Sequence, residues 1–302
     1  RPPVPTSTDK FTQEDFELAL VERSFEDFLD FVQVQDTSIG TSSEAMPFEK
    51  WEHLLFVCQL ITNNDLIVIL KARQVGISWI LAAYALWTAL YHPGANVLLL
   101  SQGRDEASEL LDKVKFIHGH LPKHLQKTVG DDSTTEYSFP SQTSSITALP
   151  ATENAGRSKT ATLVIQDEAD YHENLEANFA AVRPTIDAGG KHFMVSTSNW
   201  LTMNSFFKQQ YQRAATVDEN AISKGDGVSK YVKLFLNWRV RPGRDDEWRT
   251  AITADYEADR KNKEYPETEA QALEAPRAIS AFDHDRLDAM TLRLTPPLDP
   301  TT

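Results

Sequence analysis

The sequence predicts an α/β fold with a mainly parallel central sheet flanked by helices. Three observations predict it. Short apolar runs alternate with stretches of helical periodicity between residues 65 and 195. The first run is followed by a Gly-containing turn that opens a helix, and a later run ends in two adjacent acids. With 302 residues, 41% of them hydrophobic and 25% charged, the chain can bury a sizeable core.

Residues 1–10 are rich in Pro, Ser and Thr and read as a tail. From Phe11 to about Val34 apolar residues recur at helical spacing, through Phe16, Leu20, Phe25 and Val32. Gln35 to Met46 has no period and reads as a loop. Pro47 then suits an early helical position, with the helix running to about Thr62. Asp65–Leu70 is a buried strand, Ser78–Tyr91 a helix, and His92-Pro93-Gly94 a break. Asn96–Leu100 is the second strand and Arg104–His118 the next helix. Glu136–Phe139 and Ser145–Ala148 read as a hairpin inserted into the sheet. Leu163–Ile165 and His192–Val195 are further strands, with the helix Leu175–Val182 between them. Beyond Trp200 the reading is a helix over Asn204–Ala214, a polar loop over Asp218–Ser229, a strand over Tyr231–Trp238 and a charged helix over Asp245–Lys261. Leu292–Thr302 reads as a loose end. The expected organisation is a tail and helix over 1–45, a core over 46–202, a linker or lid subdomain over 203–290 and a tail over 291–302.

Composition excludes several classes. A single Cys58 rules out an intramolecular disulfide framework and a multi-cysteine zinc site. No apolar run approaches the ~18 residues of a membrane span, so no membrane partner is expected. A formal net charge of −14 argues against coating nucleic acid through overall charge. A local basic contact surface is still compatible with that balance. The eight histidines form no metal-ligand cluster with acids or cysteine.

Four segments carry candidate chemistry. Lys71-Ala72-Arg73-Gln74-Val75-Gly76-Ile77-Ser78 follows a buried strand and opens a helix. Phosphate binding needs that context, because a helix N-terminus presents unpaired N–H groups and a positive dipole end. Against G-x-x-x-x-G-K-[ST], Gly76 and Ser78 fall in register, Lys71 replaces the first Gly and Ile77 the Lys. Lys71 and Arg73 are placed to reach phosphates, and Ser78 to ligate Mg²⁺. A turn with two solvated cations fits the same segment. The second is Leu163-Val164-Ile165-Gln166-Asp167-Glu168, which sets carboxylates at the sheet edge where ligands bind. Asp167 would join the Mg²⁺ shell and Glu168 would take a proton from, or orient, an attacking water. An acidic loop with no such role is the alternative. The third is Ser196-Thr197-Ser198 at another strand end, whose hydroxyls can sense a phosphate or bound water, or form an ordinary turn. The fourth is Gly156-Arg157-Ser158-Lys159, where Arg157 can stabilise charge on a transferring phosphoryl group in its own or a neighbour's site, or be a solvated loop residue. Phe48 and Trp51 can wall an adenine ring or pack in the core.

Taken in order, K-A-R-Q-V-G-I-S, L-V-I-Q-D-E-A-D and V-S-T-S-N resemble the ATPase domain of the large terminase of tailed bacteriophages. In that family a deviant Walker A loop often carries its Lys at the start, with R-Q-x-G in the middle. Asn154–Ser158 is similar to the family's Gly-Arg loop, which can hold a trans-acting arginine finger. Ser196-Thr197-Ser198 resembles its coupling motif, and Trp238–Asp245 and Glu264–Thr268 resemble its W-x-x-x-P and E-Y-P-x-T segments. The resemblance covers roughly residues 45–285 and implies a RecA-like (ASCE) P-loop NTPase core. It implies ATP and Mg²⁺ as cofactors and an ATP-hydrolysing motor that drives double-stranded DNA into a procapsid. The nucleotide would sit on Lys71, Ala72, Arg73, Gln74, Val75, Gly76, Ile77, Ser78 and Trp51. Ser78 and Asp167 would bind the metal, and Glu168, Arg157 and Arg73 would serve catalysis. The implied partners are a portal protein, a small terminase subunit and further copies in a pentameric ring, in the cytoplasm of an infected bacterium. The family's adenine-contacting Gln has no counterpart, since Glu49 or Trp51 lies near its position. Full-length members continue into an RNase H-like nuclease. This chain stops at Thr302, about where that domain would begin, and Asp283, Asp285 and Asp288 alone do not make such a site. A helicase-like ATPase of the same fold and a non-hydrolysing P-loop scaffold are the competing readings.

Overall fold

A computed structural model describes residues 11–35, 44–157 and 160–275. The tails over 1–10 and 291–302, Ser158, Lys159 and the acids at 283, 285 and 288 lie outside the described residues.

The N-terminal stretch is not one helix. Helix α1 (Gln13–Arg23) starts in a capping box, in which Thr12 and Asp15 satisfy each other's backbone N–H groups. It ends at Ser24, whose extended backbone stops it and whose hydroxyl accepts from Asp27 N–H to start α2 (Phe25–Phe28). A 3₁₀ turn over Leu29–Phe31 leads to β1 (Gln33–Val34), which pairs antiparallel with β2 (Met46–Pro47). Pro47 is therefore in a strand and not in a helix. The bond from Phe48 N–H to Val32 O keeps that segment extended, and α3 (Glu52–Asn63) begins only after Trp51.

The core elements follow in order as β3 (Leu66–Lys71), α4 (Ile77–Tyr91), β4 (Asn96–Ser101), α5 (Arg104–His120), β5 (Glu136–Phe139), β6 (Ser144–Pro150), β7 (Leu163–Asp167), α6 (Leu175–Val182) and β8 (Lys191–Ser196). After them come α7 (Phe206–Arg213), β9 (Val232–Leu236), α8 (Asp246–Ile252), α9 (Ala258–Glu264) and α10 (Glu269–Leu273). The charged helix expected over 245–261 is two helices. Glu257, with extended backbone, caps the second.

Among the described residues the main sheet has seven strands in the order β5-β6-β4-β7-β8-β3-β9. All neighbouring pairs are parallel except the β5–β6 hairpin, which forms one edge. The expected boundary after 202 does not end the sheet. β9 pairs with β3 from Ile67↔Val232 to Lys71↔Leu236, so the C-terminal segment contributes a strand to the core sheet. One strand, β8, separates β3 from β7.

Both faces of the sheet are covered, as a parallel sheet requires. Alternate residues Ile67, Ile69, Val97, Leu99, Ile165 and Phe193 face α3, α4 and α5. Val68, Leu70, Leu98, Val164 and Met194 face the other way, onto layers that include Phe207, Tyr211 and Val182. Helix α4 is apolar on almost every side, and eleven of its fifteen residues are buried. It acts as a core helix, which fixes the loop at its N-terminus against the sheet.

Candidate nucleotide site

The loop between β3 and α4 is shaped by two left-handed residues. Gly76 has φ +83° and Gln74 φ +55°. Gly76 precedes the first turn of α4, and a Cβ there would lie 3.2 Å from Leu54 Cδ1 and 3.5 Å from the Trp51 ring. Only glycine meets both the backbone angle and the contact. The loop borders a cavity of about 680 Å³, a size ordinary for a cofactor site. Lys71 and residues 73–78 line it, with Trp51, Phe48, Glu168 and Tyr171.

Two polar contacts join the loop to the acidic strand end. Lys71 Nζ donates to Glu168 Oε1 at 2.8 Å, and Ser78 Oγ donates to Asp167 Oδ2 at 3.0 Å. The Lys71 side chain is 6% exposed and that of Glu168 35%. Burial alone would lower the Lys71 pKa, but the charges of Glu168 and Asp167 outweigh it and hold the ammonium above its ordinary value. Burial pushes Asp167 up against the pull of Lys71. For Glu168 the balance goes the other way. Burial raises it, but Lys71 and the Thr197 bonds bring it below the ordinary carboxylate value.

Glu168 itself has φ +49°, an uncommon backbone for a residue with a side chain. Its second oxygen is fully engaged. Thr197 donates to Oε2 from both N–H and Oγ1 at 3.1 Å, and Ser196 Oγ donates at 3.4 Å. The hydroxyls at the end of β8 therefore do not line the cavity. Ser196, Thr197 and Ser198 are buried, and Ser198 Oγ donates to Ala272 O at 2.6 Å. His172 donates to Asp167 O at 2.9 Å, and burial lowers its pKa to about 4, so it is neutral at pH 7.

Sequence reasoning missed a second layer, supplied from beyond residue 236. Arg73 pairs with Glu264 through Nε, and its N–H donates to Glu264 O at 2.9 Å. Arg244 donates to Arg73 O and Gln74 O, and Arg241 to Gln74 O, each at 3.0 Å. The Arg241 guanidinium lies 5.2 Å from the Trp51 ring centre. The segments 238–245 and 264–268 stood out as motifs, but nothing in linear spacing places their side chains on a loop about 170 residues earlier.

Arg157 is not brought into this cluster. It is exposed, bonded to Asn154 Oδ1 at 3.0 Å, and does not line the cavity. Ala72 is fully buried behind the loop, its N–H donating to Leu236 O. Among the described residues no group of three or more His, Cys, Asp or Glu could hold a metal ion by itself. The Ser78–Asp167 pair still fits Mg²⁺, which commonly takes one carboxylate, a hydroxyl, substrate phosphates and waters. Among the described residues no helix is long and apolar enough to cross a membrane.

No family model and no curated sequence matches the chain. Solved structures do. The large terminase ATPase domain of Thermus phage P74-26 superposes with a TM-score of 0.53 at 15% identity, over 84% of this chain and 96% of that one. The chain has the RecA-like fold of large terminase ATPase domains. An arginine-to-alanine variant of the phage domain gives a TM-score of 0.51 at 18% identity, over 68% and 91%. The large terminase of another thermophilic bacteriophage gives 0.52 at 12% identity, over 72% of this chain and 52% of that one. The parallel core, expected from the alternating runs, is the part these structures share.

Proposed function

We propose that this chain is the ATP-hydrolysing motor domain of a viral large terminase, driving double-stranded DNA into a procapsid. The observation that carries this reading is the pairing of Lys71 with Glu168 beside that of Ser78 with Asp167, at the mouth of one cavity in this fold. A triphosphate entering the cavity meets Lys71, Arg73 and the N–H groups at the start of α4. Trp51 and Phe48 offer the base an apolar wall. Ser78 and Asp167 would hold Mg²⁺, which when bound neutralises phosphate charge. A water oxygen attacks the γ-phosphorus, the bond to the β–γ bridging oxygen breaks, and Glu168 takes the water's proton. Thr197 fixes the carboxylate for that role.

The exposed loop that carries Arg157 suits a finger that reaches a neighbouring subunit's nucleotide. That supports a ring, by analogy a pentamer on a portal protein, with DNA in its lumen and a small terminase subunit as partner. Such a motor would act in the cytoplasm of the infected bacterium, transiently on the procapsid, and 203–290 would serve as its lid. The test is Mg²⁺-dependent ATP hydrolysis and nucleotide binding by wild type, Lys71→Ala and Glu168→Gln. We expect Glu168→Gln to bind nucleotide but to lose hydrolysis by at least about 100-fold, the usual worth of a positioned base. Lys71→Ala should lose both. Hydrolysis that survives both changes would sink the proposal, and binding without hydrolysis in the wild type would favour a scaffold.

A further inference from the structure

We infer that Glu264 is a positioning residue for Arg73, and that the Lys263-Glu264 step mechanically joins the phosphate loop to the end of β8. The inference rests on the nucleotide reading of the cavity. Glu264 is 2% exposed, yet it is engaged from the loop twice, by the Arg73 guanidinium through Nε and by the Arg73 backbone N–H. Using Nε for Glu264 leaves the two terminal nitrogens of Arg73, which lines the cavity, to meet an anion. Only arginine can serve both sides, because its donors form a rigid fork whereas lysine offers one point charge.

The neighbouring residue carries the link onward. Lys263, also 2% exposed, donates to Gln271 O at 3.0 Å and Ala272 O at 2.9 Å, and to Glu274 O. Ala272 O is the acceptor that Ser198 also uses. The contacts close a ring: Arg73 to Glu264, Lys263 to Ala272, Ala272 to Ser198, its neighbour Thr197 to Glu168, and Glu168 to Lys71. A shift of the loop on phosphate therefore reaches the strand end through a second route, separate from the Lys71–Glu168 pair.

The test is equilibrium binding of a fluorescent, non-hydrolysable ATP analogue with Mg²⁺ to the full chain. On charge alone, removing a carboxylate beside an anion site would tighten binding. Positioning predicts the reverse. Glu264→Ala should weaken binding about tenfold, the worth of one charge-assisted hydrogen bond. Arg73→Ala should do the same, and the double variant should be no weaker than Arg73→Ala alone. Glu264→Gln, which can still accept from Nε, should stay within about threefold of wild type. Should circular dichroism show Glu264→Ala unfolded, Arg73→Lys decides: it should bind as poorly as Arg73→Ala. Tighter or unchanged binding by folded Glu264→Ala, or wild-type binding by Arg73→Lys, overturns the positioning role. If the wild type binds no analogue, or Lys71→Ala has no effect, the nucleotide reading fails instead.

Discussion

At the residue scale the site neutralises its own charges. Lys71 is buried and faces Glu168 and Asp167, and neither sign is left without a counter-charge. Burial shapes the histidines differently. His192 lies between Tyr231 OH at 2.7 Å and Gln166 Oε1 at 2.9 Å, and burial lowers its pKa to about 3. His172 is held at about 4. Both stay neutral in the folded state where an unfolded histidine, near 6.5, takes a proton. The unfolded state therefore binds more protons as pH falls from 6.5 toward 4, and stability falls with it. Between pH 7 and 5 each histidine should remove about 2 kcal/mol. Denaturant titrations of wild type and His192→Gln at the two pH values check this. The variant should show a shallower loss, and parallel losses would contradict it.

At the element scale, Asp170 ties three pieces together. Its carboxylate accepts from Asn199 N–H at 2.6 Å and from Ser205 Oγ, the N-cap of α7, and lies 3.7 Å from Lys208 Nζ on that helix. Both ionic side chains are essentially unexposed. Lys208 also donates to Asn199 O at 2.9 Å and Thr202 O at 2.5 Å, holding the turn after β8. Removing one partner strands a buried charge. Lys208→Met should cost about 3 kcal/mol, a fall in Tm of roughly 10 °C for a chain of this size. A thermal melt that moves by less than about 2 °C would show that the hydroxyl and amide donors to Asp170 suffice.

The same scale shows what sequence could reveal. The strands of the sheet were legible because buried parallel strands are continuous apolar runs, such as Leu66–Leu70 and Val97–Leu100. Lys71, Gly76, Ser78, Asp167 and Glu168 were legible because strand ends and a helix start place them at one sheet edge. The breaks at Ser24 and Glu257 were not, because each lies inside continuing helical periodicity and depends on a single cap. Glu264, Arg241 and Arg244 were hidden because their contacts depend on β9 joining β3, a pairing that local pattern does not encode.

For the whole molecule, Arg157 matters most. It stands away from the cavity on an exposed loop, so one copy of the chain holds an incomplete set of phosphate-stabilising charges if Arg157 is needed. Specific ATPase activity should then rise with protein concentration. Arg157→Ala should be inactive alone and regain activity when mixed with Glu168→Gln, because each subunit supplies what the other lacks. Activity independent of concentration and unharmed by Arg157→Ala would place the whole site within one subunit.

The strand β8, set between β3 and β7, also acts as a spacer. Neighbouring strands lie about 4.8 Å apart, so two steps put the ends bearing Lys71 and Asp167 roughly 10 Å from each other. Two adjacent strands would bring the ammonium against the carboxylates and leave no slot between them. With β8 in place, only the longest side chains cross the gap, a lysine from one rim and a glutamate from the other. The gauge of the opening is thus a property of strand order, and a guest wide enough to part lysine from glutamate is what it measures.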